Sequence, residues 1–80
     1  MDQDDFELAE RLKEELLTTI EKEMSAKDIS QAEVARRIGA LRRNVNQIIG
    51  RKKNASLDYI LKMAESIGLN VEMKVRKSKA

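Results

Sequence analysis

The chain has eighty residues, a net charge of +2, no cysteine and no histidine; it therefore lacks any disulfide or thiolate metal site and the commonest general base and metal ligand. A chain of this length makes one domain, residues 1–80, near the lower limit at which a core alone suffices, because only about 60% of its unfolded surface can be buried. No apolar run approaches a membrane span, and the opening Met1-Asp2-Gln3-Asp4-Asp5 is acidic rather than signal-like, so the expectation is a soluble cytoplasmic protein with no membrane contact, no cofactor and no metal.

Residues 1–5 are expected to fray, with their acids favourably placed near a helix N-terminus. From Phe6 the apolar positions Ala9, Leu12, Leu16, Leu17, Ile20 and Met24 recur at threes and fours, which predicts a long amphipathic first helix ending near Ser25. Its apolar face is expected to pack on the domain core, with dimer or partner contact as the other use of its first turns. Ala26-Lys27-Asp28 forms a short connection. Ser30 then offers an N-cap, and Glu33 three residues later completes a reciprocal capping box. Ile29 and Val34 are placed for a hydrophobic staple across that helix start.

This second helix, Gln31 to Ile38, carries Val34, Ala35 and Ile38 inward and stops at Gly39, which can adopt the left-handed conformation that closes a helix. Another amphipathic segment follows, about Arg42 to Ile49. Ala40, Val45, Ile48 and Ile49 face inward, and Arg42, Arg43, Asn44, Asn46 and Gln47 face outward. Two short helices joined through a glycine turn are the helix-turn-helix plan. Gly50 ends the segment and Arg51-Lys52-Lys53-Asn54 makes a basic loop. Ser56 caps a further helix with Leu57, Ile60, Leu61, Ala64 and Ile67 on its buried side, Tyr59 at its edge and Gly68 at its close.

Beyond Gly68, Leu69-Asn70-Val71-Glu72-Met73-Lys74-Val75-Arg76 alternates apolar and polar, a strand signature. A lone strand leaves its main-chain edge unpaired. A second copy could pair with Asn70, Val71, Glu72, Met73, Lys74 and Val75 as a dimer strand; a strand of another protein could do the same, or the segment could fold against its own helices. Residues 77–80 read as a solvated, flexible tail.

Charge divides along the chain. Residues 1–27 are net −5 and residues 28–80 net +7, and between Arg36 and Lys53 there are seven bases and no acid. Such polarity suggests one surface for a polyanion and another that is not. The second short helix offers Arg, whose fork matches guanine O6 and N7, and Asn and Gln, which match adenine N6 and N7. Recognition of single-stranded RNA favours stacking aromatics, and both aromatics, Phe6 and Tyr59, lie outside the basic segment.

From Ser30 to Leu57 the chain resembles, without a gap, the Cro and phage-repressor (XRE-type) helix-turn-helix class. The features that carry the likeness are Gln31-Ala32-Glu33, Ala35, Gly39, Val45, Ile48, Lys52 and Asn54-Ala55-Ser56-Leu57. The long acidic first helix and the ending Leu69 to Val75 look most like the HigA-type antitoxin subfamily. The resemblance implies an all-α, five-helix repressor-like domain with a long N-terminal helix and a short C-terminal β-strand. It implies a sequence-specific regulator, a homodimer on palindromic double-stranded DNA, and a basic RelE-like toxin as partner of an autorepressing antitoxin. It places Arg42, Arg43 and Gln47 on bases, with Asn46 beside them, and Gln31 against a phosphate. Arg36, Arg37, Arg51, Lys52 and Lys53 would add phosphate contacts. The alternatives are a stand-alone or phage-type repressor without a toxin and, in another class, a protein-interaction module that does not bind DNA.

Two positions depart from the family pattern. Leu41 stands where Ser or Thr usually caps the recognition helix, and offers an apolar group for a thymine methyl or a neighbouring helix instead. Gly50 comes one residue before the family's usual glycine, so the helix is expected to end a residue early, with the register of the loop's phosphate contacts altered.

Overall fold

A computed structural model describes the backbone of residues 2–72 and 75 and the side chains of residues 8–72 and 75. Four helices account for the regular structure among these residues: α1 (Asp2–Lys27), α2 (Gln31–Ile38), α3 (Arg42–Ile49) and α4 (Leu57–Ser66). α2 packs on α3 and on α4, and α1 packs on α4. The core they enclose is wholly apolar, with Ile20, Val34, Val45, Ile60, Met63, Ala64 and Ile67 at its centre. Met63, absent from the sequence-derived face, lies three residues beyond Ile60 and is fully buried, as helical spacing allows.

Three of the helix boundaries follow from local chemistry. The Ser30 hydroxyl accepts from the Glu33 amide at 3.0 Å, and the Ser56 hydroxyl accepts from the Tyr59 amide at 3.2 Å. Each satisfies one of the donors that a helix start leaves open. Gly39 closes α2 at φ 70. The Ala40 amide donates to the Ala35 carbonyl at 2.8 Å and the Gly39 amide to Arg36 at 3.3 Å, the paired bonds of a Schellman motif. The reciprocal half of the expected capping box is not formed. The Glu33 carboxylate turns instead to Arg36 and Arg37, because a guanidinium is a stronger donor to a carboxylate than a backbone amide is.

α1 begins at Asp2 and ends at Lys27, extending the expected helix at both ends. At 26 residues it is about 39 Å long, longer than the rest of the domain can cover. Leu17, Ile20 and Met24 enter the core and Leu16 packs against it, but Ala9 is exposed and Leu8 and Leu12 remain 50% and 40% exposed. The expected core face is therefore realised only in the second half. Leu12 and Leu16 instead line a shallow groove of about 300 Å³ with Leu57, Leu61 and Val71.

Among the described residues, the five helices and terminal strand implied by the resemblance do not appear. Residues 50–56 are turn, bend and coil, and residues 69–72 and 75 are outside any regular structure. Leu69 packs on the core and donates to the Ala64 carbonyl at 3.1 Å. Beyond it Asn70, Val71, Glu72 and Val75 are exposed. Alternation places side chains on two faces, but a strand also needs a neighbouring strand to accept its hydrogen bonds, and four helices offer none. Met73 and Lys74, the remaining residues of that expected strand, and the expected flexible tail 77–80 lie outside the described residues.

Candidate nucleic-acid interface

α3 is built as a two-sided element. Val45, Ile48 and Ile49 are 0%, 3% and 4% exposed, and they hold the helix against α2. Arg43, Asn46 and Gln47 occupy the opposite side at the same spacing. Arg43 and Asn46 are exposed and Gln47 is half-buried, while Arg42 is exposed at the helix start. Arg42 and Arg43 have no hydrogen-bond or ion-pair partner among the described residues. Asn44 is half-buried and accepts from Lys53 Nζ at 3.3 Å, which ties the basic loop to the helix beside it.

The end of α3 resolves the glycine offset. Gly50 has φ −77, while Arg51 takes the left-handed conformation at φ 62. The Arg51 amide donates to the Ile48 carbonyl at 3.1 Å and the Lys52 amide to Gln47 at 2.8 Å, with Lys53 on the same Gln47 carbonyl at 3.2 Å. This is again a Schellman closure, with its left-handed residue where the resembled class usually has glycine. α3 stops at Ile49, the residue the sequence predicts, while the left-handed turn stays at the family's place. An L-residue there costs about 1–2 kcal/mol.

The Arg51 side chain offsets that cost. Its guanidinium meets Glu14 through two bonds of 3.0 and 2.8 Å, Glu21 at 3.0 Å and the Thr18 hydroxyl at 3.2 Å. Glu14, Thr18 and Glu21 lie on one face of α1. The hydrogen bond from Arg51 is the largest influence holding the Glu14 carboxyl below its usual range, and the same contact raises Arg51 further. One side chain therefore fastens the start of the basic loop to the acidic helix. Nothing in the local sequence around Arg51 signals this; the hint lay in the four- and three-residue spacing of Glu14, Thr18 and Glu21.

The other expected phosphate contacts also separate. Arg36 pairs with Glu33 yet remains largely exposed, its side chain 72% accessible. Arg37 bonds Glu33 at 2.8 Å and donates to the Ser66 carbonyl at 2.8 Å. Lys27, held by Glu23 at 2.9 Å, donates to the next carbonyl, Ile67, at 2.7 Å. Two cations thus satisfy the orphan acceptors at the end of α4, where the helix dipole favours positive charge. A side chain at Gly68 would come within 2.7 Å of that Lys27 ammonium. Gln31 is half-buried at the first position of α2, and Lys52 and Lys53 are exposed.

Glu33 itself is shifted strongly, its carboxyl lowered from 4.5 to about 2 by hydrogen bonds from Arg36 first and Arg37 second. What α3 presents is thus an open ridge of guanidinium and amide groups, backed by apolar packing and flanked by two exposed loop lysines, of which Lys53 also reaches Asn44. No curated protein and no solved structure matches the chain. A helix-turn-helix domain family matches residues 1–76, nearly the whole length and the two helices joined at Gly39 among them, and the chain belongs to that family.

Proposed function

We propose that the protein is a sequence-specific DNA-binding regulator that reads the major groove with α3. The observation that carries this reading is the division of α3 into a buried apolar side and an exposed side bearing Arg43, Asn46 and Gln47, with Arg42 at its start. A helix of this kind fits the major groove, with its N-terminal side chains nearest the base edges. Arg42 and Arg43 suit guanine, and Asn46 and Gln47 suit adenine.

Lys52 and Lys53 serve as phosphate contacts beside the ridge, and Gln31 as one at the start of α2, where backbone donors are also open. Arg36 is exposed enough to add a phosphate while paired to Glu33. Arg37 and Arg51 already direct their forks at protein acceptors, so in this reading they hold α4 and the loop in place and do not bind DNA.

The finer reading is a homodimer on a palindromic operator, its two recognition helices about 34 Å apart. It acts as the antitoxin of a RelE-like toxin and represses its own operon. Support comes from the acidic first helix, whose exposed Leu12 lines the groove with Leu16, Leu57, Leu61 and Val71, and whose Leu8, four residues earlier, is also exposed. Complementary charge would speed encounter with a basic partner. Pairing between two copies through residues 70–75 would supply the neighbouring strand that the four helices do not offer.

The test is selection of bound sequences from a random duplex pool at two salt concentrations, alone and with any small basic protein encoded next door. Enrichment of a two-fold-related site, with affinity falling steeply as salt rises, is the expected result. A chain that retains no duplex at low salt is an interaction module instead, and one that enriches a site but captures no basic neighbour is a stand-alone repressor.

A further inference from the structure

Leu41 stands at the N-cap of α3, and two uses of such a residue are absent. Its side chain makes no capping hydrogen bond, and at 69% exposure it packs into no part of the core. The contrast with its neighbours is sharp: Ala40 packs against the core, and Val45 one turn along is fully buried. Leu41 also takes no part in the apolar groove. Leu12 and Val71 lie around the groove between α1 and α4, whose lining does not include Leu41. An exposed leucine outside both core and groove therefore stands at the leading end of the helix, next to exposed Arg42 and Arg43.

The chemistry at that end is selective. In the major groove a thymine displays one apolar feature, its C5-methyl group, and an aliphatic side chain is the group that recognises it. An exposed leucine gains by being covered, and a methyl group in the groove supplies an apolar surface beside polar base edges. We propose that Leu41 is a specificity-determining residue that reads a thymine methyl, next to the base read by Arg42 or Arg43. The proposal rests on α3 as the recognition helix and extends its reading set by a contact made without hydrogen bonds. It also accounts for a leucine where a capping Ser or Thr would stabilise the helix start.

The experiment uses the full chain and the duplex selected by the wild-type protein. Each thymine of that duplex is replaced singly by deoxyuridine, which differs only in lacking the methyl group. Wild-type affinity should fall about fourfold at one thymine in each half-site, the effect of one buried methyl-sized group. Leu41→Ala and Leu41→Ser should show no penalty at that thymine and no preference for it in a fresh selection. The serine variant regains a cap acceptor, so loss of methyl discrimination there cannot come from a weakened helix.

An equal penalty in wild type and both variants would overturn the proposal, as would the absence of any penalty in the wild type. A change in oligomeric state on substituting Leu41, with methyl discrimination intact, would also overturn it by making Leu41 a protein contact. Failure to enrich any duplex would defeat the recognition-helix reading itself, a result distinct from all of these.

Discussion

Between Arg36 and Lys53 the sequence offers seven bases and no acid, but the structure sets two groups apart among them. Arg37 and Arg51 are fully engaged within the protein, one on Glu33 and the end of α4, the other on Glu14, Thr18 and Glu21. Arg42, Arg43 and Lys52 are exposed and have no such partner among the described residues. The difference shows that charge count is a poor guide to how many cations a fold can offer a polyanion. The engaged cations set the position of the free ones. Arg51 does this most directly, because the Lys52 and Lys53 amides that follow it close onto the Gln47 carbonyl of α3.

The division is broken most visibly on the free side. Arg43→Ala or Gln47→Ala should cost about 1–3 kcal/mol at particular base pairs and relax preference there, as read by repeating the selection with each variant. Lys52→Ala or Lys53→Ala should weaken binding to all duplexes alike, reducing the slope of log affinity against log salt by about one per lysine. Identical behaviour in all four variants would remove the distinction between ridge and loop.

On the engaged side the expected effect is on stability. Arg51→Ala removes the bridge to α1 and keeps the left-handed strain. Because the Arg51 side chain is 30% exposed, the loss should be about 1 kcal/mol, less than a fully buried charged network would lose. Arg51→Gly removes the same bridge but relieves about 1 kcal/mol of left-handed strain, so its urea midpoint should lie near that of the wild type and above that of Arg51→Ala. Equal midpoints for the two variants would mean that the backbone conformation at position 51 contributes nothing.

These cases also show what could be read before the fold was known. Ser30, Gly39 and Ser56 act on backbone groups within a few residues of themselves, and the start and end of α2 and the start of α4 that they imply are those observed. The faces of α2 and α3 were legible for the same reason, since helical spacing alone decides which side chains share a side. The roles of Arg37 and Arg51 were hidden because their partners lie 29 to 37 residues away, and only packing brings them near. The first half of α1 misled in the opposite way: its apolar spacing is regular, but the domain is too small to cover Leu8 and Leu12. The segment after Gly68 shows that period-two alternation specifies facing without supplying the partner that makes a strand.

The smallest expected effect is also the most local. Glu33 holds Arg36 and Arg37 together at the start of the helix-turn-helix pair, with its carboxyl lowered from 4.5 to about 2. A carboxyl depressed in the folded state adds stability that is fully present above its unfolded value, and that stability is lost as pH falls through the folded one. The contribution of Glu33 should therefore be constant from neutral pH down to about pH 4.5 and decline between there and about pH 2. Glu33→Gln cannot ionise, so its stability profile, followed by urea unfolding, should be flatter than wild type across that interval. Because Arg37 also donates to the Ser66 carbonyl, it should stay anchored in the glutamine variant while Arg36 is released. The salt slope for DNA should then steepen by no more than the contribution of one cation, whereas a change of two would place Arg37 among the free cations.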